Sequence, residues 1–246
     1  MRFTKFNRLL ALLAVLSSSL LGQAFTLIPI SATLAPKGYG VGTTFRVENE
    51  SSNRIAFQIS MVTRDMNEQG EETQKPAGDL FTVFPPQGVV GPGQRQNIRV
   101  AWKGPQNPTN ELAFRIVAEQ LPVNFEPQTK ESQIKLLVRY LGTVYIRPKN
   151  AKPKLETVAL TKSPDNSATN NLYELTLNNA GNAHQGLENC VLTVTDANGQ
   201  KTVLKSSQLD KIEGQNILAN HRLRFPVTLP ADVSAEDYHA EIQVDE

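Results

Sequence analysis

S-Q-I-K-L-L-V-R-Y-L-G-T-V-Y-I, residues Ser132 to Ile146, is the stretch from which the fold is read. Ile134, Leu136 and Val138 fall two apart, while Gln133, Lys135 and Arg139 occupy the intervening positions around Leu137. Alternation of this period describes a half-buried strand with one apolar face. The run is fifteen residues long, and an ordinary strand is about half that length. A strand so long is expected to reach past its own core and to offer its edge and apolar row to something else.

Working outward, the same β-type patterning fills most of the chain. Thr44–Asn49, Ile55–Ser60, Gln96–Trp102 and Leu112–Ala118 are strand candidates on the amino-terminal side. Between them lie turn-rich pieces at Ala35–Gly38, Asn67–Gly70, Pro85–Gly88 and Gly91–Gly93. Met61–Leu80 and Val123–Glu131 read as polar loops. Arg147-Pro148-Lys149-Asn150-Ala151-Lys152-Pro153 interrupts the alternation and marks a boundary. A second strand set follows at Leu155–Leu160, Leu172–Leu177, Cys190–Thr195, Lys201–Leu204, His221–Val227 and His239–Val244, with a hairpin turn at Asp196–Gly199. No stretch sustains a helical period. Short strands at regular spacing with such turns predict sandwiches. The expected organisation is all-β, with two immunoglobulin-like β-sandwich domains at residues 25–147 and 153–246 joined by a linker at 148–152.

The first 24 residues have a different character. Arg2, Lys5 and Arg8 precede an apolar run from Leu9 to Leu21, and Gly22-Gln23-Ala24 supplies small residues for cleavage. This is the pattern of a secretory signal peptide cut after Ala24. The run is short against the roughly 20 residues of a membrane span. Of the 25 basic residues three are in the leader, leaving 22 against 24 acidic ones. Near neutrality argues against a nucleic-acid partner. A single cysteine, Cys190, excludes an intrachain disulfide, so the exported chain must be stabilised by a real core. Cys190 sits in a strand pattern and is expected to be buried. At the new terminus, Phe25-Thr26-Leu27-Ile28 could pair along the 134–138 segment or fold back on the core.

Several segments together resemble one family. Phe84-Pro85-Pro86-Gln87, then Gly91-Pro92-Gly93-Gln94 leading to Ile98-Arg99-Val100, is similar to the proline turn and following strand of periplasmic pilus-assembly chaperones. Glu111 to Pro122 resembles their penultimate first-domain strand. Val144-Tyr145-Ile146-Arg147-Pro148 resembles the close of the last one. Asn178-Asn179-Ala180-Gly181-Asn182-Ala183-His184 resembles a second-domain turn of the archaic (alternative) branch. The resemblance implies an L-shaped pair of immunoglobulin-like domains in a periplasmic, non-enzymatic PapD-like chaperone. It implies pilus or fimbrial subunits and an outer-membrane usher as partners. It also implies donor-strand complementation, in which the long strand fills the groove of a subunit lacking its last strand.

In that resemblance Ile134, Leu136, Val138 and Tyr140 are the donor residues. Burial of the first three contributes about 5 to 8 kcal/mol before association costs. The family also holds the subunit's C-terminal carboxylate with basic residues. Its commonest pair, an arginine on the first strand and a lysine four residues before the closing arginine, is missing. Pro29–Leu34 contains no arginine, and Thr143 stands in the lysine position. The archaic branch has an aromatic–arginine pair on the neighbouring strand, matched by Phe114-Arg115. Arg115 is therefore the expected anchor, because a guanidinium can grip a carboxylate with two parallel hydrogen bonds. Arg139 is the runner-up, and Thr143 a secondary donor. Arg147 is expected to bridge the domains through an acid, with Glu119 as candidate partner. Gly142 suggests a bulge or a close approach between domains.

His184, His221 and His239 show no ligand spacing, and no nucleophile elbow, phosphate loop or dinucleotide fingerprint is present. The expectation is no enzyme, no metal and no cofactor. The competing class is an immunoglobulin-like surface adhesin or structural pilus component. Such a protein tends to carry a polymerisation segment or a disulfide, and neither is evident. A long apolar edge left free also raises self-association as a further partner state.

Overall fold

The computed structural model of the chain describes residues 25–125, 137–165, 171–230, 233 and 239–244. The expected leader and the donor positions Ile134 and Leu136 lie outside them. In chain order the strands of the amino-terminal side are β1 (Phe25–Ile28), β2 (Ser31–Leu34), β3 (Gly42–Asn49), β4 (Ile55–Thr63), β5 (Asp65–Met66), β6 (Glu72–Thr73), β7 (Phe81–Phe84), β8 (Gln87–Val90), β9 (Arg95–Trp102), β10 (Leu112–Leu121) and β11 (Arg139–Ile146). They make a four-stranded sheet, β1-β3-β9-β7, and a five-stranded sheet, β2-β11-β10-β4-β8, with β5 and β6 as a separate hairpin.

The two sheets share one apolar cluster, and the two-residue pleat decides which side chains enter it. Phe45 and Val47 come from β3, and Ile98, Val100 and Trp102 from β9. Opposite them stand Phe57, Ile59 and Met61 of β4, Phe114, Ile116 and Ala118 of β10, and Val144 and Ile146 of β11. Phe81 meets Trp102 and Phe114 edge to face, with ring centroids 5.1 and 4.9 Å apart.

The terminus folds onto this core. Phe25 and Leu27 are buried in the cluster while β1 pairs antiparallel with β3. Pro29 has no N–H for a ladder, and the chain changes sheets there. β2 then runs parallel to the end of β11, from Thr143↔Ser31 to Ile146↔Leu34.

β11 is thereby flanked unequally. β10 accompanies it along its whole length, from Leu112↔Ile146 to Glu119↔Arg139, whereas β2 covers only Thr143 to Ile146. Among the described residues, Arg139 to Gly142 have a strand neighbour on one side only. The expected fifteen-residue strand is regular in its described part from Arg139 onward. Gly142 does mark a close approach, but inside the sandwich: a Cβ there would meet Ile116 Cγ2 at 2.8 Å and the Ile30 carbonyl oxygen at 3.2 Å. The β10–β11 register runs through it without a bulge.

On the carboxyl-terminal side come β12 (Leu155–Lys162), β13 (Leu172–Asn179), β14 (Gln185–Leu187), β15 (Cys190–Thr195), β16 (Lys201–Lys205), β17 (Gln215–Ile217), β18 (Arg222–Thr228) and β19 (His239–Val244). Their sheets are β12-β13-β18, β14-β17 and β16-β15-β19. A second apolar cluster joins Leu175 and Leu177, Leu223 and Phe225, and Leu192 and Val194, with Cys190 fully buried among them. The expected turn at Asp196–Gly199 is present. Asp196 Oδ1 accepts from Asn198 N at 2.9 Å and Gln200 N at 2.7 Å, and Gly199 takes φ +80°.

Strand extends into two of the expected loops and turns. Met61–Thr63 complete β4, and the polar stretch after them folds as the β5–β6 hairpin. Its Asn67–Gly70 turn is held by Asn67 Oδ1, which accepts from Gln69 N and Glu71 N. Gln87–Val90, expected to begin as a proline turn, pairs with the start of β4.

Candidate functional site

β10 carries Phe114, Ile116 and Ala118 into the core, so Ala113, Arg115, Val117 and Glu119 fall on the outer face of the five-stranded sheet. The register sets Tyr145, Thr143, Leu141 and Arg139 of β11 beside them in that order. Arg115 and Thr143 are thus direct cross-strand neighbours, and Arg115 Nη1 donates to Thr143 Oγ1. Arg139 stands at the other end of the row, opposite Glu119. Four strand steps separate it from Thr143, about 13 Å, so it does not join Arg115 and Thr143 in one group.

Arg115 already holds a carboxylate. Its Nε donates to Glu72 Oε2 at 3.0 Å and its Nη2 to Glu72 Oε1. Arg64, which follows β4, donates from Nε to the same Glu72 Oε1 at 2.7 Å and from Nη1 to the Tyr145 hydroxyl at 2.9 Å. The Arg64 and Arg115 side chains keep only 10% and 16% of their exposure. Burial would push the Glu72 carboxyl up, but Arg115 and Arg64 together hold it below the ordinary carboxylate value. Two arginines, a threonine and a tyrosine therefore line one carboxylate socket. Thr63, Arg64 and Glu111–Phe114 also line a cleft of about 220 Å³ closed on its other side by Leu218, Ala219 and His221.

The hairpin that carries Glu72 is strapped to the second core. Met66, across the ladder from Glu72, is buried in the second cluster. Asp65 Oδ1 lies 2.7 Å from His221 Nε2, and Glu68 pairs with Arg224 at 2.5 Å. The His221 contact lowers the Asp65 carboxyl.

Arg147 does bind an acid, but that acid is Glu111 and not Glu119. Glu119 sits eight positions along β10 from Glu111, where it accepts from Gln58 at 3.2 Å; the ladder holds it at the far end. Glu111 is almost fully buried, with 1% side-chain exposure. It accepts from Arg147 Nε, from His184 N at 3.0 Å and meets His184 Nδ1 at 2.5 Å. Burial raises this carboxyl and those donors more than reverse it, leaving it lowered. The His184 ring stacks on Tyr145 at 3.8 Å.

The Asn178–His184 turn places that histidine. Buried Asn179 donates to Ala183 O at 2.7 Å and Ile217 O at 3.1 Å, and accepts from Gly181 N and Lys154 N. Gly181 lies against backbone: a Cβ would meet Lys154 N at 2.3 Å. Asn182 O then accepts from Glu111 N at 2.9 Å.

Of the donor positions, Val138 and Tyr140 are half-buried and pack on the first core, Tyr140 edge to face with Phe25 at 5.2 Å. Leu137 and Leu141, on the opposite parity, are exposed. Sequence reasoning did not find Glu72, Arg64 or Tyr145 in the socket, nor Glu111 as Arg147's partner. Among the described residues no group of three His, Cys, Asp or Glu side chains could hold a metal ion, and no helix is long and apolar enough to cross a membrane.

Residues 37–152 match the family model of pili and flagellar-assembly chaperones, PapD N-terminal domain. No curated protein matches the chain. Solved structures match over most of its length. A chain of the chaperone–tip adhesin complex of CFA/I fimbriae biogenesis is 17% identical with a TM-score of 0.57, covering 89% of this chain and 94% of its own. The class 5 fimbriae chaperone CfaA is 16% identical with a TM-score of 0.55, covering 91% and 100%. A chain from the Salmonella enterica SafA pilin in complex with the SafB chaperone is 18% identical with a TM-score of 0.55, covering 84% and 85%. At such identities the likeness is one of fold.

Proposed function

Because this chain belongs to the PapD-like family of periplasmic pilus-assembly chaperones, we propose that it captures pilus subunits by donor-strand complementation and hands them to an outer-membrane usher. The two apolar clusters then correspond to two immunoglobulin-like domains, residues 25–147 and 153–246, set in an L about the 148–152 linker. No reaction is catalysed; the work is strand exchange.

One observation carries this reading: among the described residues, β11 has no strand neighbour from Arg139 to Gly142 on the side where β2 stops. An unpaired edge is a template for a further strand. The row that continues towards it, Tyr140 and Val138, is the core-facing row of the sandwich. By the two-residue period, Leu136 and Ile134 extend that row in the bound state. Carried past the end of the chaperone's core, these side chains would fill the core of a subunit that lacks a strand. The Arg115–Thr143 pair lies further along β11 and would take the subunit's terminal carboxylate. A fixed end contact sets register, since a slip of one residue would turn every donor side chain away.

The test is coexpression with the pilin products of neighbouring genes. A soluble one-to-one periplasmic complex is expected, with amides of residues 133–140 protected from solvent exchange. A chain that forms no such complex and is found within surface fibres would be a structural component instead.

A further inference from the structure

Glu72 has no place in the scheme just given, yet it occupies the socket. It lies at the proposed carboxylate anchor and engages Arg115 through both oxygens. The same carboxylate is shared by Arg64, a second cation on the adjoining strand end. The hairpin delivering it is not loose. Met66 on the facing strand is buried in the second core, and Asp65 and Glu68 pair with His221 and Arg224. A carboxylate tethered so closely competes at an effective concentration in about the millimolar range or above.

We propose that Glu72 is an internal stand-in for the subunit's C-terminal carboxylate, and that Arg64 with Arg115 forms the two-cation site for which the two compete. The inference rests on Arg115 being the anchor. Occupancy by Glu72 pairs both nearly buried guanidinium groups with one carboxylate while the chaperone is free, so that neither is left without an anion. A partner carboxylate gains the site only by displacing Glu72, so the site is reduced in apparent affinity by the small fraction of time it stands empty. A chain end with nothing else to offer therefore does not hold. A subunit does, because burial of Ile134, Leu136 and Val138 in its groove supplies the difference. Competition at the anchor thus discriminates incomplete sandwiches from arbitrary peptide termini. Because its hairpin is tied to the second core, Glu72 is held near enough to return to Arg64 and Arg115 when the subunit leaves.

The test uses the ¹⁵N-labelled mature protein and follows the Nε–H signals of Arg64 and Arg115, identified with Arg64→Lys and Arg115→Lys variants. N-acetylalanine imitates a chain end, and N-acetylalaninamide is the uncharged control. The wild type should respond to the acid only at high concentration. Glu72→Ala, which clears the socket, should bind it at least about tenfold more tightly, and Arg115→Ala in that background should abolish the gain. Glu72→Gln serves if the alanine variant does not fold. Should neither fold, the wild type decides: saturable movement of the Arg115 signal by the acid supports displacement, and its absence overturns it. If Glu72→Ala is no tighter while Arg115→Ala still weakens acid binding, Glu72 is not a competitor and the anchor stands. If acid and amide are indistinguishable in every variant, the anchor itself is wrong.

Discussion

The two ends of β11 are built in opposite ways. From Thr143 to Ile146 the strand is paired on both edges, and Val144, Tyr145 and Ile146 are buried. From Arg139 to Gly142 it has β10 alone among the described residues, and Leu141 is exposed. One end belongs to the protein's own interior, and the other has a strand neighbour on one edge only among the described residues. A single strand can thus be both an internal member of one sheet and an unfinished edge, because its neighbour β2 is four residues long against eight in β11.

The comparison is broken most severely at the open end. Leu136→Asp should abolish subunit capture, lowering affinity by about a hundredfold or more by losing a leucine's burial and desolvating a charge. Its melting temperature should match the wild type, and a fall in both would mean that Leu136 belongs to the protein's own core. At the locked end the effect should be on stability. Arg147→Ala leaves buried Glu111 with His184 as its remaining side-chain partner and should cost about 2 to 3 kcal/mol by denaturant titration. Between the ends, Gly142→Ala drives a methyl against Ile116 and Ile30, at about 1 to 2 kcal/mol; an unchanged midpoint would show that the junction yields.

Acid sharpens the same contrast. Glu72 and Glu111 both have carboxyls held below their ordinary 4.5. Groups lowered by folding contribute stability that is fully present above the unfolded value and lost as pH falls through the folded one. Melting temperature should stay level from neutrality down towards that value and drop in more acid buffer. Glu111→Gln should start lower and converge with the wild type in acid. The smallest effect is expected far from β11. Burial pushes the Cys190 thiol up to about 11, so iodoacetamide should modify it slowly at pH 8 until denaturant is added.

Most of the strand set was legible because alternation is a local signal: Cys190–Thr195 and His239–Val244 have the bounds their patterns imply. The family motifs were legible for the same reason, being short and in order. What escaped was pairing across distance. Glu72 lies 43 residues from Arg115, and Glu111 lies 36 from Arg147. Nothing in either neighbourhood marks the partner, whereas the motif resemblance pointed to Glu119 and the ladder then put it at the wrong end. Linear distance from Arg115 likewise says nothing of the antiparallel register, which sets Arg139, the runner-up anchor, opposite Glu119. β8 escaped because prolines precede it, and prolines mark turns more often than strand starts.

Met66 has a consequence of a different kind. It is rooted in a hairpin that springs from β4, yet its side chain is sealed inside the other core. Like a dowel through a joint, it pins the hairpin that carries Glu72 to the second core. The entropy of ordering that hairpin is thus lost during folding, and a ligand settling against it does not have to lose it again.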